Sequence, residues 1–259
     1  MVLAATVICG ACLFTSCKKD EDNNLKLEEK IIGKWMEAEM DGRTMPTNEK
    51  KVYTFVSTTK AYISASFSSV QDENTQWLDK TEANVVISGN KVTLTSHINE
   101  NSTEVEEMTV TAISGSEFTA NIKVTVTDNG NTVFSVEQTK RFVKVVDYSA
   151  AILGTWQGHC TSEGSVFDDG QEHRWEYRAD GNFVYYAKDG DNWVPYEGNT
   201  LNEYFVDGTL LCTRWIDNGQ ENREWWEITI DGTRMHWTAL RQNPDGTTFT
   251  ATFEMSKVN

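Results

Sequence analysis

Hydrophobic and polar residues alternate with a period of two along much of this chain. One run is apolar at every second position, at Phe118, Ala120, Ile122, Val124 and Val126. A run near the C-terminus repeats the pattern at Phe249, Ala251, Phe253 and Met255. Because successive side chains of a β-strand point to opposite faces, the pattern predicts strands with one buried and one solvent-facing side.

Short turn signals separate these strand-like runs. They are Asn129-Gly130, Asp180-Gly181, Asp207-Gly208, Asp231-Gly232 and Asp245-Gly246. Asn, Asp and Gly tolerate the positive φ angles that tight hairpin turns require. The chain has only three prolines and no long amphipathic helix pattern. The sequence therefore predicts an all-β antiparallel meander, either closed as a barrel or folded as a sandwich.

The chain contains two copies of one plan. Residues 31–35, Ile-Ile-Gly-Lys-Trp, recur as Ile-Leu-Gly-Thr-Trp at 152–156. The two units also end alike, with Phe-Val-Lys-Val at 142–145 and a strand ending in Lys-Val at 253–258. Each unit spans about 110 residues, which is too long for a solenoid repeat and suits a single domain. We expect tandem domains at 29–147 and 148–259.

The N-terminus has the pattern of an export signal. Residues 2–16 carry no charge, form a run too short to span a bilayer comfortably, and suit a secretory signal peptide at 1–16. Ser16-Cys17, at the edge of this run, resembles a bacterial lipobox, and Cys12 is a weaker alternative. The resemblance implies a lipid on Cys17, followed by a flexible tether to residue 28. Because no Lys or Arg lies between Met1 and Ser16, we expect the natural start further upstream.

The charged cluster after Cys17, Lys-Lys-Asp-Glu-Asp, resembles the export signal of surface lipoproteins in the Bacteroidetes. The resemblance implies an outer-membrane lipoprotein on the cell surface, with the periplasmic face as the alternative. The membrane partner would then be reached through the lipid on Cys17. Stable anchoring takes more than one acyl chain, and the triacylated cysteine of this class meets that requirement.

Overall charge narrows the range of partners. The formal net charge is −16, from 39 acidic and 23 basic residues. This balance argues against nucleic acid as a partner and against binding to anionic membranes through basic side chains. Outside the signal, the folded part contains Cys160 and Cys212. An oxidising compartment would permit a disulfide between them, and two free thiols are the alternative.

The combined motifs resemble the short lipocalin-like domains of Bacteroidetes lipoproteins. In the second unit the likeness rests on Gly154-x-Trp156, an aromatic strand after Asp180-Gly181 and the terminal Lys-Val strand. It implies two up-and-down β-barrels of the lipocalin or calycin type. It also implies that a tryptophan packs across the closed end of each barrel with a basic side chain beside it. The structural residues expected on this basis are Gly33, Trp35 and Arg141 in the first domain, and Gly154, Trp156 and Arg241 in the second.

The sequence shows no catalytic motif of a familiar kind. The four histidines match no common zinc spacing, although His159 and Cys160 with His173 and His236 are a conceivable set. The acidic stretch at 189–192 has the composition of an ordinary turn and lacks the signature of a calcium loop. We therefore expect no enzyme activity, no metal and no cofactor.

Three functions remain open. Lipocalin-like barrels would bind a small apolar or amphipathic molecule; exposed aromatic residues would bind glycans; filled barrels would serve a structural or partner-binding role. Trp226, Ile228 and Ile230 share one strand face and are interpreted as core, which places Trp225 on the opposite face, in solvent. The candidate ligand-binding residues are Tyr186, Trp193, Tyr196 and Trp225.

Overall fold

The computed structural model describes residues 26–64, 80–162, 170–243 and 245–258. Two antiparallel β-sheets of nine strands each follow one another along the chain. The predicted signal peptide, the lipidation site Cys17 and most of the tether lie outside the described residues. No helix in the described part is long and apolar enough to cross a membrane.

The first sheet closes into a barrel. A short helix α1 (Leu27–Lys30) precedes it, and a 3-10 helix lies at Thr47–Glu49. Its strands are β1 (Gly33–Met40), β2 (Arg43–Thr44), β3 (Val52–Ser57), β4 (Lys60–Ser64), β5 (Lys80–Ser88), β6 (Lys91–His97), β7 (Ser102–Ile113), β8 (Glu117–Asp128) and β9 (Asn131–Lys144). Strand β1 pairs with both β3 and β9, so β1 and β3–β9 form a closed eight-stranded barrel, with β2 as a short hairpin on β1.

The second sheet curls without full closure. Its strands are β10 (Gly154–Cys160), β11 (His173–Tyr177), β12 (Phe183–Asp189), β13 (Asn192–Pro195), β14 (Asn199–Asp207), β15 (Leu210–Asp217), β16 (Gln220–Asp231), β17 (Arg234–Gln242) and β18 (Thr248–Val258). Strands β13 and β14 are the edges of the sheet. Beyond the end of β13, the residue before β12 reaches β14 directly, where Asn182 forms an isolated bridge with Glu203.

Pro195 contributes to this opening. It lies on edge strand β13 opposite Tyr186. The neighbouring Tyr196 N–H donates to the carbonyl oxygen of Tyr185, so the backbone nitrogen of Pro195 points away from β12. Proline has no N–H, so this position cannot donate a hydrogen bond toward β14. The prediction of two tandem antiparallel β units is confirmed, with the difference that the second barrel is open along one side.

The repeated Gly-x-Trp motif has the same structure in both units. Trp35 Nε1 donates a hydrogen bond to the carbonyl oxygen of Ile31, and Trp156 Nε1 donates one to that of Ile152, both at 2.7 Å. Both indole rings are fully buried. Each tryptophan therefore fixes the start of its first strand against the turn that precedes it.

The basic partners of these tryptophans differ from the predicted ones. Lys144 Nζ lies 5.1 Å from the ring centre of Trp35, and Lys257 Nζ lies 5.1 Å from that of Trp156. Both lysines are directly opposite their tryptophans in the strand register. The predicted placements of Arg141 and Arg241 are therefore wrong.

Register explains the displacement of the two arginines. Arg141 lies opposite Glu39 and pairs with it at 2.6 Å. Arg241 lies on β17, which does not pair with β10, and its guanidinium covers Trp226 at 4.8 Å from the ring centre.

The glycines of the motif make room for these lysines. Gly33 has φ +127° and Gly154 has φ +113°, values that other residues rarely adopt. A Cβ at Gly154 would lie 2.9 Å from Lys257 Cε, and one at Gly33 would lie 3.1 Å from Lys144 Cε. The motif thus requires glycine for both backbone conformation and side-chain space.

The two units pack against each other through an apolar cluster. Its buried members are Met36, Val52, Leu210, Cys212 and Trp225. Ion pairs surround it: the buried Asp207 of the second unit pairs with Lys34 at 2.5 Å and Lys80 at 3.0 Å from the first. The contact therefore buries both apolar surface and charge.

Candidate ligand-binding cavity

The open side of the second barrel leads to a cavity of about 220 Å³. Its aromatic lining residues are Trp175, Tyr177, Phe183, Tyr185, Tyr196, Trp215, Trp226, Trp237 and Phe253. Strand alternation places them there, because β11 and β12 carry large rings at every second position. The interior of this barrel is thus lined with rings and only partly filled by them.

The rings support one another in tilted and edge-to-face contacts. Trp237 lies at the centre of the group, with ring centroids 5.0 Å from Trp175, 5.3 Å from Trp226 and 5.5 Å from Phe253. Such pairs are worth about 0.5–1.5 kcal/mol beyond the area they bury. Because these central rings hold one another in place, this part of the cavity wall is largely preformed.

The lining residues include buried polar groups that have no hydrogen-bond partner among the described residues. Examples are the Tyr177 hydroxyl and Trp237 Nε1–H, on side chains that are 1% and 3% exposed. An unsatisfied buried polar group costs about 1–3 kcal/mol. In contrast, Trp226 Nε1 donates to Glu224 at 3.0 Å. These two groups lie beneath the surface of the cavity, so the polar surface that a bound molecule meets comes from other lining side chains.

A carboxylate lies at the edge of the aromatic group. Burial raises the pKa of Glu224, and this effect is opposed by the nearby Arg241 guanidinium and by the hydrogen bond from Trp226. Arg241 Nη2 lies 3.6 Å from Glu224 Oε1 while its guanidinium stacks over Trp226. Asn199, Thr213 and Asp217 complete the polar part of the lining, and His173 Nδ1 lies 3.0 Å from the Tyr185 hydroxyl.

Of the four predicted ligand-binding residues, Tyr196 lines this cavity. It is 41% exposed, and its ring packs edge-to-face on Tyr185 at a centroid distance of 6.1 Å. Tyr186 alternates with Tyr185 on the same strand, is not among the lining residues, and donates its hydroxyl to Glu176 at 2.6 Å. Tyr196 and Tyr186, both predicted to bind ligand, thus lie respectively at the cavity and outside it.

Trp193 also lies outside the cavity, beside basic side chains. Its ring centre is 4.6 Å from the Arg174 guanidinium and 5.7 Å from Lys188 Nζ. Such cation–π contacts place positive charge against the ring face. The ring is consequently engaged by the protein's own cations.

The predicted exposure of Trp225 is wrong. Its side chain is 2% exposed and packs with Met36 and Val52 of the first unit. The alternation correctly placed Trp225 on the outer face of its sheet, since Trp226 points inward, but the first barrel covers that face. Cys212 lies directly opposite Trp225 in the register and is a free thiol, as is Cys160.

The interpretation of inward-facing residues as simple core missed the cavity. The sequence pattern predicts that Trp226 faces inward, yet it contains no measure of the volume left between inward-facing rings. Trp237 and Phe253 lie on β17 and β18 at alternating positions and are directly paired. The available signal was the excess of rings at inward positions, since bulky planar side chains from several strands rarely fill a narrow interior completely.

The described ranges contain no group of three or more His, Cys, Asp or Glu residues arranged to hold a metal ion. His236 Nδ1 pairs with Glu254 at 2.7 Å, away from the cavity-lining His173. No protein-family model matches the sequence, and no curated protein is significantly similar to it.

Proposed function

We propose that this protein is a non-enzymatic, lipid-anchored binding protein whose second barrel holds a small apolar or amphipathic molecule. The observation that carries the proposal is the preformed cavity lined by nine aromatic rings and open at one side. Ligand pockets are typically concave, mostly apolar and supplied with a few polar groups that fix orientation. This cavity has each of these properties.

The size of the cavity limits the ligand. An apolar cavity of about 150 Å³ is sufficient to bind benzene. At about 220 Å³, the present cavity suits one ring or two fused rings. The polar side chains of the lining, Asn199, Thr213 and Asp217, favour a ring that carries a hydrogen-bonding oxygen or nitrogen.

The predicted lipid on Cys17 would place this binding domain at the outer membrane, facing the cell exterior. Glycan binding on exposed rings has less support in the geometry. Trp225 is buried between the two units, and Trp193 is engaged by Arg174 and Lys188. A small-molecule carrier or receptor therefore fits the arrangement best.

Isothermal titration calorimetry with 2-naphthol tests this proposal, with naphthalene as the analogue that lacks the polar atom. We expect one site per chain and weaker binding of naphthalene. Thr213→Phe should abolish binding by filling the cavity, since Thr213 lines it and is 7% exposed. Thr250→Phe, on the solvent-facing side of β18, is the matched control and should bind normally. Equal binding by both variants, or no binding by the native chain, would overturn the proposal.

A further inference from the structure

The first barrel contains a second cavity of a different chemical character. It measures about 310 Å³ and lies where β7, β8 and β9 pair beside the N-terminal end of β3. One wall is apolar and consists of Val124, Phe134 and Val136. The remaining lining is polar or charged: Lys51, Tyr53, Glu104, Glu106, Gln138 and Lys140.

One ion pair beneath this cavity is already complete. Lys140 Nζ lies 2.5 Å from Glu37 Oε1, and both side chains are buried. The other carboxylate oxygen of Glu37 accepts the backbone N–H of Lys51 at 3.0 Å. The protein itself therefore satisfies the charge of Glu37.

Glu106, unlike Glu37, is buried without an ion-pair partner in the described part of the chain. It is 3% exposed and accepts a hydrogen bond from the Tyr53 hydroxyl at 3.1 Å. Among the described residues, no lysine, arginine or histidine forms an ion pair with it. A buried carboxylate without a contacting cation is costly, because more distant positive charges offset its desolvation only in part.

The charges around the cavity leave one negative charge in excess. Three carboxylates, Glu37, Glu104 and Glu106, face two ammonium groups, Lys51 and Lys140. Burial raises the pKa of Glu106 to about 7; Glu104 and Glu37 act in the same direction, and the two lysines oppose them. Near neutral pH this carboxyl group is therefore divided between its protonated and its deprotonated form.

We propose that this cavity binds a small organic monocation, a primary amine with a short apolar body. The ammonium group would contact Glu106, and the apolar body would pack against Val124, Phe134 and Val136. A monocation would balance the excess negative charge, and the apolar wall selects against a bare inorganic ion. This site is separate from the aromatic cavity of the second barrel and does not depend on its proposed function.

Calorimetry on the full chain with n-pentylamine, 1-pentanol and pentanoate tests the proposal. At pH 8 we expect one site for the amine, with affinity at least tenfold above that for the alcohol and no binding of pentanoate. Glu106→Gln should weaken amine binding at least tenfold, because the neutral amide keeps the size and the Tyr53 contact but loses the charge. Glu107→Gln, the neighbouring residue on the exposed face of β7, is the matched control and should bind as the native chain does.

Proton competition supplies a second readout. Since the amine binds the deprotonated carboxyl, its affinity should fall about tenfold between pH 8 and pH 6, with proton release on binding. Preferential binding of pentanoate, or unchanged amine binding by Glu106→Gln, would overturn the proposal. Thr213→Phe should leave amine binding intact, so failure here is distinguishable from failure of the aromatic cavity.

Discussion

Tyr177 and Tyr204 provide a matched test of the buried, unpartnered hydroxyl of Tyr177. Their rings contact each other edge-to-face, with centroids 4.8 Å apart, and both side chains are buried. The Tyr204 hydroxyl donates to the carbonyl oxygen of Arg178 at 2.7 Å, whereas that of Tyr177 has no partner among the described residues. The same change, tyrosine to phenylalanine, should therefore have opposite effects at the two positions.

The magnitudes follow from the hydrogen bonds. Tyr204→Phe removes a formed hydrogen bond and leaves the Arg178 carbonyl without this donor, which should lower the free energy of unfolding by about 1 kcal/mol. Tyr177→Phe removes a buried polar group that gains nothing from the protein, which should raise the free energy of unfolding by about 1–2 kcal/mol. In a chain of this size, each kcal/mol corresponds to roughly 2–4 °C in melting temperature.

Urea unfolding of both variants, without added ligand, measures these differences directly. Both variants should bind 2-naphthol nearly as the native chain does, because the Tyr177 hydroxyl lies beneath the cavity surface and Tyr204 does not line the cavity. Equal destabilisation by the two substitutions would show that the Tyr177 hydroxyl is already satisfied and would refute the reasoning.

Three further predictions concern other parts of the molecule. Glu106→Gln should raise the free energy of unfolding by about 3 kcal/mol at pH 8 and change it little at pH 4. The reason is that the native chain loses stability as pH rises from about 4.5 to 7, a range in which the folded state keeps the Glu106 proton and the unfolded state has released it. Urea titrations at both pH values measure this, and an equal difference between variant and native chain at pH 4 and pH 8 would contradict it. Trp225→Ala should lower the free energy of unfolding by about 3–5 kcal/mol, since it empties the contact between the two units; a fully stable variant in thermal melts would argue against that contact. Gly154→Ala should lower the melting temperature more than Gly219→Ala does, because a Cβ at Gly154 would crowd Lys257 whereas one at Gly219 would meet nothing within 4 Å. Equal losses of melting temperature in the two variants would exclude crowding by Lys257 as the cause.

The architecture was largely predictable because its signals are local. Alternation sets which side chains share a face, and Asn-Gly or Asp-Gly pairs set the hairpins. The repeated Gly-x-Trp motif correctly indicated two similar units. Closure of a barrel is not a local property, however, and the open side of the second unit depends on how far edge strands β13 and β14 approach each other.

The candidate sites were less predictable, for two physical reasons. Register decides which basic residue lies beside each tryptophan, and neither Arg141 nor Arg241 is in register with its expected partner. Contact between the two units decides whether an outward-facing side chain is exposed to water, and the first unit covers Trp225. The cavity in the second barrel depends on residual volume between rings, which no residue pattern encodes.

Native mass spectrometry tests the central claim, that the second barrel binds a small molecule, most directly. The native chain and Thr213→Phe would each be incubated with extract from the source cells and weighed before and after denaturation. The account predicts an added mass on the native chain that disappears on unfolding and is absent from Thr213→Phe. A bare mass for both proteins, or the same added mass on both, would contradict it.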